Sequence, residues 1–181
     1  MSGAEINLLA GVISAFVSTL LIASAWHKWQ DLPLFRSHIE AYGLLPGKAA
    51  DVATYVLPVL EVTAAVLMWL PVASAACHGL ALALLVVYAA AMAINVLQGR
   101  TDLECGCGGP SQRVGWGLIL RNLVLAALTG LAGVFAGHLE GALAFATAIG
   151  AGVLLWMLYA LIEKVWGFMA KAKSFNPATS N

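Results

Sequence analysis

The sequence predicts an all-α polytopic membrane bundle of about five spanning helices. Three observations carry this reading. Of 181 residues, 61% are apolar and 10% are charged, against roughly a quarter charged in an ordinary soluble domain. Five stretches reach the roughly 20 mainly apolar residues that a helix needs to cross a bilayer. The nine lysines and arginines all fall on one side of the topology those stretches define. The composition excludes an ordinary soluble enzyme and a disordered chain. A net charge of zero excludes a nucleic-acid binder, which needs a basic surplus. The lipid bilayer is therefore the first partner, and no resident cofactor or metal is expected.

The first span, about 6–29, follows Met1-Ser2-Gly3-Ala4-Glu5. That start has no basic region, so the span reads as a retained helix and not as a cleaved signal. In the connection 30–49, Leu34, Phe35, Ile39 and Tyr42 fall near helical spacing. Arg36, Ser37, His38 and Glu40 take the other face. This is either a short helix lying in the interface or a solvated loop. The second span, about 50–70, and the third, from Pro71 to about residue 97, make a tight hairpin. Pro71 suits its turn or the first turn of the following helix. The connection 98–113 carries Cys105-Gly106-Cys107-Gly108-Gly109-Pro110. The fourth and fifth spans, about 114–135 and 142–165, are joined by Gly137-His138-Leu139-Glu140-Gly141. Backbone polar groups in lipid must bond within their own segment, so each span should be a helix. Residues 1–173 read as one integral membrane domain, and 174–181 as a polar tail.

With five spans, the N-terminus and the two short turns share one face, which holds no lysine or arginine. The other face takes Lys28, Arg36, Lys48, Arg100, Arg113, Arg121, Lys164, Lys171 and Lys173. Basic residues stay in the cytoplasm. The expected orientation is N-terminus out, with both long loops and the C-terminus in.

Cys105 and Cys107 are the first chemical candidates. Two thiols separated by one glycine close a very small ring, and such a bridge is strained. Strain makes it easy to reduce, which suits an exchange catalyst. The same pair also reads as a copper(I) site with His27 or His38, or as two unpaired thiols in a glycine-rich turn. Cys77 sits near the other end of the third span, on the order of 30 Å away, and reads as a small buried apolar residue. Glu61 lies at mid-depth in the second span and needs a partner inside the bundle. Arg121, in the fourth span, is the expected partner if those two spans pack together. The pair is either a proton-linked or ligand-binding polar centre or a structural contact. His27 and Lys28, where the first span reaches the inner interface, are further candidates for that centre. Trp26 and Trp29 suit the aromatic belt, and Lys28 can snorkel.

The order Ser24-Ala25-Trp26-His27-Lys28, Phe35, Tyr42-Gly43-Leu44-Leu45-Pro46, Leu57-Pro58-Val59-Leu60-Glu61, Cys105-Gly106-Cys107-Gly108, Trp116 and Arg121-Asn122 resembles the methylamine utilisation protein MauE family. That family is related to the DoxX-like membrane proteins. The resemblance covers about residues 6–135. It implies a four-helix core plus one helix in a bacterial inner membrane. It also implies a part in processing, exporting or oxidising the small subunit of periplasmic methylamine dehydrogenase, with a thioredoxin-like partner, MauD. Cys105 and Cys107 fit thiol exchange in that setting. The charge pattern puts the pair on the cytoplasmic side, whereas the client's disulfides form outside. Two alternatives follow: electrons are relayed across the membrane, or the topology is inverted against its charge. The rival functions are a small-solute permease built on Glu61 and Arg121, or a scaffold without chemistry.

Overall fold

The computed structural model describes residues 2–71, 74–101, 103, 114–135, 139 and 141–175, with side chains described as far as residue 169. These residues form six helices and no strand: α1 Gly3–Gln30, α2 Leu32–Tyr42, α3 Gly47–Leu67, α4 Ser74–Leu97, α5 Trp116–Phe135 and α6 Ala142–Phe175. All but α2 are long and apolar enough to cross a membrane. The protein is thus an all-α polytopic bundle.

Local chemistry sets the ends. Ser2 and Glu5 form a capping box, so α1 starts at Gly3, before the apolar run begins. Each of its two side chains bonds an orphan backbone N–H. The connection after α1 is a helix and not a loop. Asp31 accepts from Leu34 N at 3.0 Å, Pro33 stands in the first turn, and Gly43 closes α2 at φ 67°. A left-handed φ costs glycine little. Arg100 donates to the carbonyls of Ala41 and Tyr42, at 2.5 and 3.3 Å, and so caps the C-terminus of α2. The inward stripe of α2 is Phe35, His38, Ile39 and Tyr42. Leu34, placed inward by its spacing, is 50% exposed, and His38, placed outward, faces the bundle. Helix α4 begins at Ser74, which leaves Pro71 in the turn. Helix α6 runs to Phe175, past the expected boundary at 173.

Packing runs around a square, α1 to α3 to α4 to α5 and back to α1, while α6 leans on α1 from outside. This is the four-helix core plus one. Only 11% of the apolar window of α6 is enclosed, against 33–39% in the other four spans. Val17, Leu21, Ala64, Ala65, Met68, Cys77 and Ala81 fill one end of the core. Ala89, Met92, Val114 and Ile119 fill the other. Small residues set the α1–α6 spacing. A Cβ on Gly152 would stand 2.8 Å from both Phe16 N and Val12 O, backbone atoms of α1. Close backbone approach of this kind is how helices associate where lipid supplies no hydrophobic drive.

The described basic side chains, Lys28, Arg36, Lys48, Arg100, Arg121 and Lys164, all belong to the end where α1, α4 and α6 finish and α3 and α5 begin. The side chains of Lys171 and Lys173, and Arg113, lie outside the described residues.

Candidate functional site

Ser24 and Lys28 stand one turn apart on α1, on one face. Helix α3 runs antiparallel beside them and brings Glu61 level with Ser24. Lys28 Nζ forms an ion pair with Glu61 Oε1. Three further bonds tie this pair in. Lys28 donates to Ser24 Oγ at 3.0 Å, Ser24 Oγ donates to Glu61 Oε1 at 3.2 Å, and Tyr88 OH of α4 donates to the same oxygen at 2.8 Å. Lys28 is 4% exposed and Glu61 is fully enclosed. The Lys28 ammonium lies 5.3 Å from the Phe35 ring centroid and 4.8 Å from that of Tyr88, within reach of both π faces. Glu61 Oε2 is enclosed without a hydrogen-bond partner among the described residues. Burying either charge alone costs several kcal/mol, roughly, so each holds the other in place. The cluster as a whole is neutral.

A cavity of about 230 Å³ opens beside this cluster, under α2. Lys28 and Tyr88 stand at its floor, Phe35, His38 and Tyr42 come from α2, and Met92 from α4. Its rim includes Leu44, Leu45 and Val87, which are 41–56% exposed. Burial pushes the Tyr42 phenol up to about 12, so its hydroxyl keeps its proton at neutral pH.

The expected partnership of Glu61 with Arg121 does not form. Helices α3 and α5 stand across a diagonal of the square, so the condition of direct packing fails. Arg121 instead donates to Glu163 Oε1 of α6 at 2.5 Å, and Tyr159 donates to the same oxygen at 2.6 Å. Both Arg121 and Glu163 are 22% exposed. Lys28 is drawn into the bundle and does not snorkel to water. His27 is exposed and stands apart from the cluster. Cys77 is buried and free, as a small apolar residue would be. Cys105 and Cys107 lie outside the described residues. The ends of their segment are described: Val114 N donates to Leu103 O at 2.8 Å, and both residues pack with Tyr42 and Met92. Among the described residues, no group of three His, Cys, Asp or Glu side chains is placed to hold a metal.

Ser24, Tyr88 and Glu163 had no assigned role in the sequence reading. The signal for Glu163 was present, since it is an acidic residue in an apolar run, as Glu61 is. The hydroxyls of Ser24 and Tyr88 carry no such signal, because both residue types are ordinary in spanning helices. A second buried polar group lies toward the opposite end. His78 bridges Ser14 Oγ at 2.9 Å and the Ser74 carbonyl at 2.8 Å.

Residues 6–136 match the family model described as methylamine utilisation protein MauE. The chain is 41% identical over 170 residues to methylamine utilization protein MauE of Paracoccus denitrificans, across 89% of this chain and 88% of that one. It is 33% identical over 171 residues to the protein of that name from Paracoccus versutus, across 92% of each. With the protein of that name from Methylorubrum extorquens the identity is 36% over 155 residues, 81% of this chain and 82% of the relative. No solved structure matches.

Proposed function

The chain belongs to the methylamine utilisation protein MauE family, and from that premise we propose that it assists the maturation of the methylamine dehydrogenase small subunit. The work comprises processing, export or disulfide formation, and it proceeds by thiol–disulfide exchange with a thioredoxin-like partner of the MauD kind. Membership of the family supports a place in the methylamine dehydrogenase system. One structural observation supports the finer reading. The Val114–Leu103 bond pins both ends of the segment that carries Cys105 and Cys107 to the basic end of the bundle.

The exchange is balanced within the two proteins. A thiolate of one attacks a disulfide sulfur of the other, giving a mixed disulfide and releasing a thiolate. The second thiol then displaces it, so one protein ends as disulfide and the other as dithiol. Arg100 and Arg113 flank the segment and favour the thiolate, while Asp102 and Glu104 oppose it, so no large shift of the thiols is expected. The bundle sits in the bacterial inner membrane in this reading, N-terminus out and C-terminus in, because basic ends remain cytoplasmic. Residues 1–173 make the membrane domain.

The test uses Cys105→Ser, Cys107→Ser and the double variant in cells that make the dehydrogenase. Each single variant should trap the thioredoxin-like partner as a covalent complex. The double variant should trap nothing and leave the small subunit misoxidised or degraded. Normal accumulation of the subunit with the double variant would sink the exchange role. Loss in Glu61→Gln with dispensable cysteines would favour a solute-binding bundle. An impermeant maleimide added from each side reads the orientation, and labelling from the periplasm would overturn the inward placement.

A further inference from the structure

The two oxygens of Glu61 are served unequally. Lys28 and Ser24 of α1 and Tyr88 of α4 all donate to Oε1, whereas Oε2 is enclosed and accepts from no described residue. A buried carboxylate oxygen without a donor carries its full cost of leaving water. In the square, α1 and α4 flank α3, and α5 stands opposite it. Both flanking helices spend their donors on Oε1. The wall left for Oε2 is α5.

The α4–α5 contacts fix what α5 presents at that depth. A Cβ on Gly133 would stand 2.8 Å from His78 Cβ, and one on Gly130 would stand 2.9 Å from Leu82 Cδ1. Ala126 clusters with Leu85. These pairs run antiparallel in step, and the same register sets Asn122 level with Ala89, the residue after Tyr88. Asn122 is 3% exposed, and its Nδ2 is enclosed without a hydrogen-bond partner among the described residues. A buried acceptor on α3 and a buried donor on α5 thus share one depth of the core and do not bond each other. Arg121, next in sequence, goes to Glu163 of α6 instead. Charge and polarity select what joins the two atoms. An anion is kept off by Glu61, and a cation by the Lys28 ammonium already on it. An apolar occupant would leave both atoms unsatisfied. A water molecule donates to Oε2 and accepts from Nδ2, and two such partners suffice for a buried water.

We propose that Glu61 Oε2 and Asn122 Nδ2 hold one water molecule between them at the centre of the bundle. Asn122 is then the fifth side chain of the cluster formed by Ser24, Lys28, Glu61 and Tyr88. The water extends that cluster from α1, α3 and α4 to α5, so one carboxylate ties together all four core helices. It adds no net charge to the site. The site stands apart from the thiol exchange proposed above and requires neither cysteine.

The test is magic-angle-spinning NMR on the full chain, labelled with carbon-13 and nitrogen-15, in bilayers of deuterated lipid. Magnetisation that starts on water protons should reach the Asn122 side-chain amide at early mixing times. The backbone amides of Ala64 and Ala81, enclosed in the apolar core, should stay dark at those times. Lys28→Met/Glu61→Leu removes the carboxylate without stranding a charge, and there the transfer to Asn122 should be lost. Absence of early transfer in wild type would overturn the proposal, and so would transfer that persists in the double variant. Dipolar recoupling between the Glu61 carboxyl carbon and Asn122 Nδ2 supplies a second measurement. A separation short enough for a direct hydrogen bond would replace the water with that bond and overturn the proposal as well. If the double variant fails to fold, the wild-type transfer and the recoupled separation decide together.

Discussion

Lys28 of α1 and Glu61 of α3 form an ion pair inside the bundle, with Lys28 4% exposed and Glu61 fully enclosed. The pair is buried because α1 and α3 run antiparallel and because Ser24 and Tyr88 complete its hydrogen bonds. Removing one partner strands the other charge, at a cost of about 3–5 kcal/mol. Glu61→Ala and Lys28→Ala should each lower membrane yield and thermal stability sharply. Lys28→Met/Glu61→Leu should recover most of the loss, because an apolar pair of similar volume carries no desolvation cost. The readout is the unfolding midpoint in detergent; a double variant as weak as the two singles combined would contradict the pairing.

Arg121 answers to Glu163 and not to Glu61. Double-mutant cycles distinguish the two. Arg121→Ala with Glu163→Ala should show a coupling of roughly 0.5–3 kcal/mol, while Arg121→Ala with Glu61→Ala should add to within about 0.5 kcal/mol. Strong coupling in the second cycle would mean that α3 and α5 are neighbours after all.

Gly152 and Gly150 offer a matched pair on α6. A Cβ at Gly152 meets Ala15 and the backbone of α1, whereas a Cβ at Gly150 meets nothing within 4 Å. Gly152→Ala should cost about 1–3 kcal/mol by overpacking and loosen α6 from α1. Gly150→Ala should be neutral or stabilising by up to about 1 kcal/mol, from helix propensity. Limited proteolysis and thermal unfolding read both, and equal behaviour of the two variants would argue against close α1–α6 contact.

The fold holds the Tyr42 phenol protonated up to about 12, against about 10 for the unfolded chain. The protonated form is the one the folded state favours. Its contribution to stability is therefore whole below about pH 10 and erodes as pH rises toward about 12. The difference in phenolate absorbance between wild type and Tyr42→Phe should appear only above pH 11, about a unit beyond a free phenol. A difference centred near pH 10 would show that Tyr42 is open to water.

The five spans were legible because their length and apolar content are local properties, and a bilayer asks each segment the same question independently. The capping residues of α2, Asp31 and Gly43, were equally local, although the apolar spacing alone left helix and loop open. Glu61 was legible as a buried charge by depth alone. Its partner was not. Depth in the membrane follows from residue number, but which helices adjoin, and which side of each faces the other, depends on how ridges and small residues pack. Lys28 and Arg121 both lie toward the basic end, and only the square order of α1, α3, α4 and α5 selects Lys28. The same holds for the cavity. Its walls come from α1, α2, α3 and α4, four segments with no shared pattern in sequence. A local pattern decides what crosses the membrane, whereas the meeting of distant segments decides what the bundle encloses.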